Sequence, residues 1–450
     1  MPKLSDARNR TRVLLARPGV IKPASARSLD GRRTMAKRPG VIVVGGGLAG
    51  LACATALLEA RVDAHVLEAG DAPGGRVRTD SYEGFLLDRG FQVYLTAYPE
   101  GRRVLDLKAL SLQRFIPGAK VWRGGRLHTL ADPLRQPVTA VSHLFDAPGG
   151  LADKLRVLEL RQLSTSGELG DLWQRPQQES RHLLRDLGFS EEMLEAFFTP
   201  FFGGIFLERG LTTSSRMLEF VFRMFAKGHA AVPAKGMGAI PEQLSAKLPS
   251  AALRMRVRVE EVWGHRVRLP GGEMLHADAV VVATDPGTAA SLLVGMPAPR
   301  MNRVTCLYFA APEPPVEGPW LTLNGEGRGP VNNVAVMSEV SAAYAPPGQA
   351  LVSVSVVDDA GSADSLEARV RAQLTEWFGP AVSAWRHLRT YAIPEALPAQ
   401  PPSALVEPHR PVRLAAGLYV CGDHRENASI DGALASGRRA AEAVLLDLGR

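Results

Sequence analysis

The sequence predicts an α/β protein built on a Rossmann-like, dinucleotide-binding domain into which a second region, a mixed sheet with helices, is inserted. Three observations predict it. "VIVV" at Val41–Val44 is a β-branched run suited to a buried parallel strand, and it leads directly into Gly45, Gly47 and Gly50 at G-x-G-x-x-G spacing. "AHVLEAG" reads as a second strand ending in Glu68. Near the C-terminus, "GLYVCGDHRENASIDGALASGRRAAEAVL" gives strand, glycine turn and helix again.

In the first unit, Gly45 permits a tight turn, Gly47 lets backbone approach a pyrophosphate, and Gly50 lets a helix predicted over 52–60 pack against the strand. Leu48 and Ala49 fall where a helix N-terminus turns unpaired N–H groups and a positive dipole end toward phosphate. Glu68, followed by Ala69, is placed to accept hydrogen bonds from an adenosine ribose, and its charge would repel a 2′-phosphate, which disfavours NADP. Further on, "LRMRVRVEEVWGHRVRLPGGEMLHADAVVVATDP" predicts a strand, a hairpin and a strand.

The insertions read differently. "KVWRGGRLHTLADPLRQP" predicts a hairpin, followed by helical stretches over 151–187 and 191–198. "RVTCLYFAA", "VNNVAVMSEVS" and "ALVSVSVVDDA" have strand periodicity, with one helix over 365–378. The expected division is therefore a nucleotide-binding domain from 40–95, 235–290 and 413–448, and an inserted domain from 96–234 and 291–412.

Charge and cysteine usage narrow the class. The chain has 450 residues and a formal charge of +7, but residues 1–39 hold eleven Lys and Arg against Asp6 and Asp30, leaving 42 of the 53 bases and 44 of the 46 acids to the rest. Basicity confined to a tail argues against a nucleic-acid-binding fold, and residues 1–36 are expected to be disordered. Met35 would make a natural start for the domain. The Arg-rich, acid-poor tail leaves organelle targeting open, although it lacks the apolar core of a secretory signal. Cys53, Cys306 and Cys421 are far apart, which disfavours a disulfide framework or zinc site and fits a reducing, cytoplasmic location.

Glu68-Ala69, then Gly74-Gly75-Arg76, then "LDRG" at Leu87 to Gly90, together with the C-terminal Gly422-Asp423, resemble the FAD-binding amine oxidase superfamily, which includes amine oxidases, protoporphyrinogen oxidases and phytoene desaturases. The resemblance implies a GR2-type FAD-binding domain with non-covalent FAD. It implies that Arg76 contacts the phosphate and ribityl region and that the Gly90 backbone runs close to the flavin. Val259, with Val257 as its rival one register off, would meet adenine through its backbone. Asp423 would bind the ribityl or pyrophosphate part, and the helix beginning near Ile430, Gly432 and Ala433 would point at the flavin pyrimidine edge. "TPFFGGIFLERGLTTSS" and "VPAKGMGAIPEQLSAKL" look like stretches of desaturases and protoporphyrinogen oxidases, with Lys235 standing where glycine is commoner.

The function this implies is dehydrogenation of an apolar molecule, isoprenoid- or carotenoid-like or tetrapyrrole-like, by hydride transfer to flavin N5, with O₂, a quinone or another acceptor reoxidising the flavin. A soluble amine oxidase and a non-catalytic, FAD-stabilised binding protein are the rivals. Candidate pocket residues are Gln92, Tyr94, Trp385, Tyr391 and His424. Trp385 and Tyr391 have core packing as their alternative. His424 is the one of the five that titrates near neutral pH, with simple solvent exposure as its alternative. The aromatic run at 196–207 motivates an expected peripheral membrane contact.

Overall fold

A computed structural model describes residues 40–132, 134–142, 148–358 and 363–450. The expected disordered tail, residues 1–36, lies outside the described residues. Residues 39–450 form one compact unit.

A six-stranded sheet has the order Leu253–Arg254, Ala64–Leu67, Val41–Val44, Ala279–Val282, Leu418–Val420, Arg413–Ala415, parallel throughout except for the last strand. Its strands come from three separated stretches of chain. Alternation along Val41–Val44 explains why both faces are covered. Val41 and Val43 join the core that holds Cys53, Leu57, Ala440 and Val444, from the helices Leu48–Glu59 and Ile430–Asp447. Ile42 and Val44 pack on Val267 and Leu269, of the antiparallel meander Glu261–Trp263, Arg266–Arg268, Met274–His276.

A seven-stranded sheet runs Arg386–Pro398, Met301–Ala311, Ala350–Val357, Val331–Val336, Leu321–Asn324, Gly118–Arg123, Arg126–Ala131. The expected hairpin is its far edge. Gly124 and Gly125 have φ of 60° and 76°, the pair of positive values that a two-residue turn requires to match strand twist. The helical stretches of the first insertion are Leu151–Thr165, Leu169–Leu172, Ser180–Asp186 and Glu191–Met193, the last running through a π-helical turn at Leu194–Phe198 into Thr199–Phe206. Pro200, lacking an N–H, sits just after that wide turn.

Three expectations change. The first helix begins at Leu48, immediately after Gly47, rather than at residue 52. The strand expected to carry Val259 ends at Arg254, because Arg256 takes a positive φ of 58° and breaks the ladder; Val257 and Val259 follow in irregular backbone. The 13-residue strand Arg386–Pro398 was not anticipated; its prolines, Pro394 and Pro398, demote the pattern, and it is tolerated as an edge strand.

Asp88 ties the parts together. It is 1% exposed, and its carboxylate accepts from the Thr79 hydroxyl (2.5 Å), the Met237 N–H (2.9 Å) and the Tyr344 hydroxyl (2.7 Å). Its carbonyl accepts from the Tyr308 hydroxyl at 2.8 Å. Burial pushes its pKa up to about 6 against the lowering effect of those donors. Because folding raises this pKa, the native state holds the proton more tightly than the unfolded chain. The group's contribution to stability is full below about pH 4 and is lost as pH rises through about 6, amounting to about 3 kcal/mol. Asp88→Asn cannot titrate, so its destabilisation relative to wild type should be largest near pH 4 and smaller by about that amount at pH 7. Urea midpoints measured from pH 4 to 7 check this; a pH-independent difference would refute it.

Candidate active site

One cavity of about 1200 Å³ runs from the glycine turn to the helical insertion. Pockets for single small ligands span about 300–1,000 Å³, so this one has room for a dinucleotide and a second molecule. Its first end is built by the glycines. At Gly47 an added Cβ would meet nothing within 4 Å, because the position faces the open cavity. At Gly50 it would lie 2.0 Å from the Gly45 carbonyl oxygen, so that glycine serves helix-to-strand packing and is not among the lining residues. Gly437 does the same on the second helix, where a Cβ would come within 2.1 Å of the Ala49 carbonyl. Gly45, Leu48 and Ala49 line the cavity at the N-terminus of the 12-residue helix; the Gly45 N–H is held by the Leu67 carbonyl at 2.9 Å, and the first-turn N–H groups of Leu48 and Ala49 are the ones suited to phosphate.

Glu68 and Ala69 also line this end. The Glu68 carboxylate accepts from the Gly46 N–H and the Gly70 N–H, each at 2.6 Å, and so clamps the turn while keeping further lone pairs for a hydroxyl. Val257 and Val259 both line it too, but the Val257 N–H is spent on the Glu68 carbonyl at 2.8 Å. That favours Val259 for a backbone contact. Gly74 and Gly75 pass directly over Gly47, with the Gly74 N–H donating to the Gly46 carbonyl at 2.8 Å.

In the middle, Arg76 donates to Asp423 at 2.7 Å and to the Ala396 carbonyl at 3.1 Å. Gln92 donates to the Arg76 carbonyl at 2.9 Å and lines the cavity, as does Gly90, whose φ is +92°. Gly422 leads into Asp423, and Ile430 and Ala433 bring the N-terminus of the C-terminal helix to the wall. The Gly432 N–H is already held by the Ser429 cap at 3.0 Å, and Gly432 does not line the cavity. Tyr391 lines it and donates to Asp80 at 2.8 Å; burial and that carboxylate push its pKa up to about 12, so it stays protonated. Arg89 holds the same carboxylate at 3.0–3.2 Å.

Three candidates do not reach the cavity. Trp385 packs against Phe309 and Phe378 in the core on the other side of the seven-stranded sheet. Tyr94 is fully buried edge-on against Tyr98, near the helix at Pro99–Val104. His424 is neither exposed nor lining: it is buried, its ring stacks where a Gly422 side chain would stand, and burial pushes its pKa down to about 4. The histidine that lines the cavity is His229, held below its ordinary value by burial and by Arg114 and Arg135, and so neutral at pH 7. No motif marks it in the sequence.

The far end is apolar. Phe197, Phe198, Phe201, Phe206, Phe222 and Phe225 line it, from the π-turn, the helix after it and the helix Ser215–Lys227. The aromatic run expected to touch a membrane is thus turned inward, with Phe198, Phe202 and Phe206 buried. Among the described residues no cluster of His, Cys, Asp or Glu is arranged to hold a metal ion, and no helix is long and apolar enough to cross a membrane.

Comparison with known proteins agrees with this geometry. A hydroxysqualene dehydroxylase of Rhodopseudomonas palustris is 27% identical over 90% of this chain and 98% of its own. An Arabidopsis thaliana lysine-specific histone demethylase 1 homolog is 49% identical, but over 14% of this chain and 7% of that protein, so the chain spans only a small part of this relative. A solved oxidoreductase from Methanosarcina mazei has the same fold, with a TM-score of 0.71 and 18% identity over 89% of this chain and 99% of that one. Residues 48–445 match the flavin-containing amine oxidoreductase family. The protein belongs to that family, and is a flavoenzyme whose cofactor is FAD.

Proposed function

We propose that the protein dehydrogenates an apolar small molecule, isoprenoid-like or tetrapyrrole-like, with O₂, a quinone or another acceptor reoxidising the flavin. The observation that carries this reading is the phenylalanine-lined end of the cavity, continuous with the nucleotide end. The full-length relative named for hydroxysqualene supports it. Bound FAD supplies a hydride acceptor, so the chain's own task is to bind, orient and exclude water.

On this reading the N–H groups of Leu48 and Ala49 and the open face of Gly47 take the pyrophosphate, Glu68 the adenosine ribose, and the Val259 backbone the adenine. Arg76, fixed by Asp423, faces the ribityl chain and phosphate. Gly90 allows close approach of backbone to the flavin ring, and the helix N-terminus at Ile430–Ala433 stabilises negative charge at the pyrimidine edge. His229 is the neutral imidazole available to the substrate end.

Gly47→Val should lower FAD affinity by at least about a hundredfold, since a branched side chain would fill the open face. Asp423→Ala should lower it by about tenfold, by leaving Arg76 unpaired in the cavity. Flavin fluorescence titration of the apoprotein checks both, and equal affinity in wild type and Gly47→Val would refute the phosphate placement.

Anaerobic mixing with an apolar polyene or a porphyrinogen should bleach the flavin band near about 450 nm, whereas NADH, NADPH and primary amines should reduce it slowly. Acid precipitation should release the flavin. Rapid reduction by amines, with none by apolar donors, would replace this reading with an amine oxidase.

A further inference from the structure

Among the described residues, the seven-stranded sheet buries Asn302, Asn324, Asn332 and Asn333. A side-chain amide brings two N–H donors and a carbonyl acceptor, and burying it is costly unless these are paired. Three of the four serve the backbone. Asn302 donates to the Phe206 carbonyl at 2.8 Å and Asn332 to the Pro200 carbonyl at 2.9 Å, so both hold the helix Thr199–Phe206 to the sheet. Asn324 donates to the carbonyls of Arg328 and Val331, each at 2.7 Å, and closes the turn between its own strand and the next.

Asn333 has no such task. Its Oδ1 accepts from Asn332 Nδ2 at 3.0 Å, which fixes which way round the amide lies. Its Nδ2 reaches Ser355 Oγ only at 3.4 Å, the long limit of a hydrogen bond, and among the described residues its second N–H has no partner. Alternation along Val331–Val336 decides what this amide faces. Ala335 joins the core on the cavity side of the sheet, whereas Val334 and Val336 join the core behind it. Asn333 shares the side of Ala335, is 3% exposed and lines the cavity. Gly204, another lining residue, leaves the amide uncovered: a Cβ there would stand 3.0 Å from Asn332 Nδ2 and 3.2 Å from Asn333 Oδ1. The surrounding wall is apolar, with Phe201, Ile205 and Phe206 from the helix and Leu321 from the neighbouring strand.

We infer that Asn333 is a specificity-determining residue, whose Nδ2 donates to a neutral oxygen, a hydroxyl or a carbonyl, carried by the otherwise apolar substrate. A few placed polar groups in an apolar pocket fix a ligand's orientation, and an uncharged amide matches an uncharged oxygen. A pure hydrocarbon would cover this N–H and leave it unpaired, a penalty that the oxygenated molecule avoids. The inference rests on the reading that the substrate is apolar, and within that class it sets oxygenated molecules above hydrocarbons.

The test uses the holoprotein, without oxygen, and two tritiated probes of one carbon skeleton, farnesol and its deoxygenated hydrocarbon, each offered in the same detergent. Probe retained by the immobilised protein gives the affinity. Because detergent holds the two probes differently, the quantity compared is the ratio of farnesol to hydrocarbon affinity, variant against wild type. Asn333→Leu should lower that ratio at least about tenfold by weakening farnesol, with the hydrocarbon bound as well or better and FAD content unchanged. If the leucine variant does not hold FAD, Asn333→Ala carries the same comparison. A merely structural asparagine would weaken both probes alike when replaced. An unchanged ratio therefore overturns the inference and leaves the apolar-substrate reading standing, whereas retention of neither probe by wild type overturns both.

Discussion

The architecture depends on a carboxylate buried where four parts of the chain meet. Asp88 ends the hairpin Thr79–Tyr82 and Phe85–Asp88, and it gathers the loop at Met237, the Tyr344 turn and the Met301–Ala311 strand through Tyr308. Three donors converge on its two oxygens, so the site favours charge by hydrogen bonding and opposes it by burial. The Thr79 hydroxyl also accepts from the Gly238 N–H at 2.8 Å, which extends the network by one step into the second glycine loop. Gly90 lies two residues beyond Asp88, so the same network that joins the sheets also sets the backbone along the cavity wall.

Close backbone approach does the complementary work at the nucleotide end. Gly45, Gly50 and Gly437 let a strand, its helix and the C-terminal helix touch at distances no Cβ would allow. Asp431, in the first turn of the C-terminal helix, accepts from the N–H groups of Glu100 and Gly101 at 2.8 and 3.0 Å, locking the N-terminus of Pro99–Val104 against it. The cavity is what these contacts leave open, with Gly47 as the glycine whose missing side chain opens onto space.

Much of this was legible in the sequence because it is local. G-x-G-x-x-G spacing, the acid after the second strand and the Gly422-Asp423 turn are short patterns whose geometry follows from their own residues. What was not legible depends on partners distant in sequence. Trp385 and Tyr391 lie six residues apart on one edge, yet Trp385 packs in the core behind the sheet and Tyr391 faces the cavity. Nothing in the spacing separates them: Trp385 lies just before the strand Arg386–Pro398, Tyr391 lies within it, and a register shift near Leu388 intervenes. His424 follows a cofactor motif but is turned inward by the missing side chain at Gly422, and His229 has no motif at all. The phenylalanines of 197–206 read equally as surface or interior until the π-turn aims them.

The charges along the cavity bear on what can enter it. Asp80 is held by Arg89 and Tyr391, Asp132 lies 3.7 Å from Arg135 and Arg161, Asp423 is paired with Arg76, Asp285 caps the helix Pro286–Leu292 through the Thr288 N–H, and Glu68 is spent on two backbone N–H groups. Among the described residues each carboxylate on the wall is matched, and Arg389 adds a further cation above the Tyr391 ring at 5.8 Å. An ammonium group would give up its water to enter a cavity whose described walls hold no unmatched anion to receive it, a cost that buried charges escape only by pairing. An apolar molecule meets no such penalty, and it gains the burial of its own surface against the phenylalanine walls. On the proposed reading, the wall whose paired charges and backbone N–H groups hold FAD at one end suits an apolar substrate better than a cation at the other.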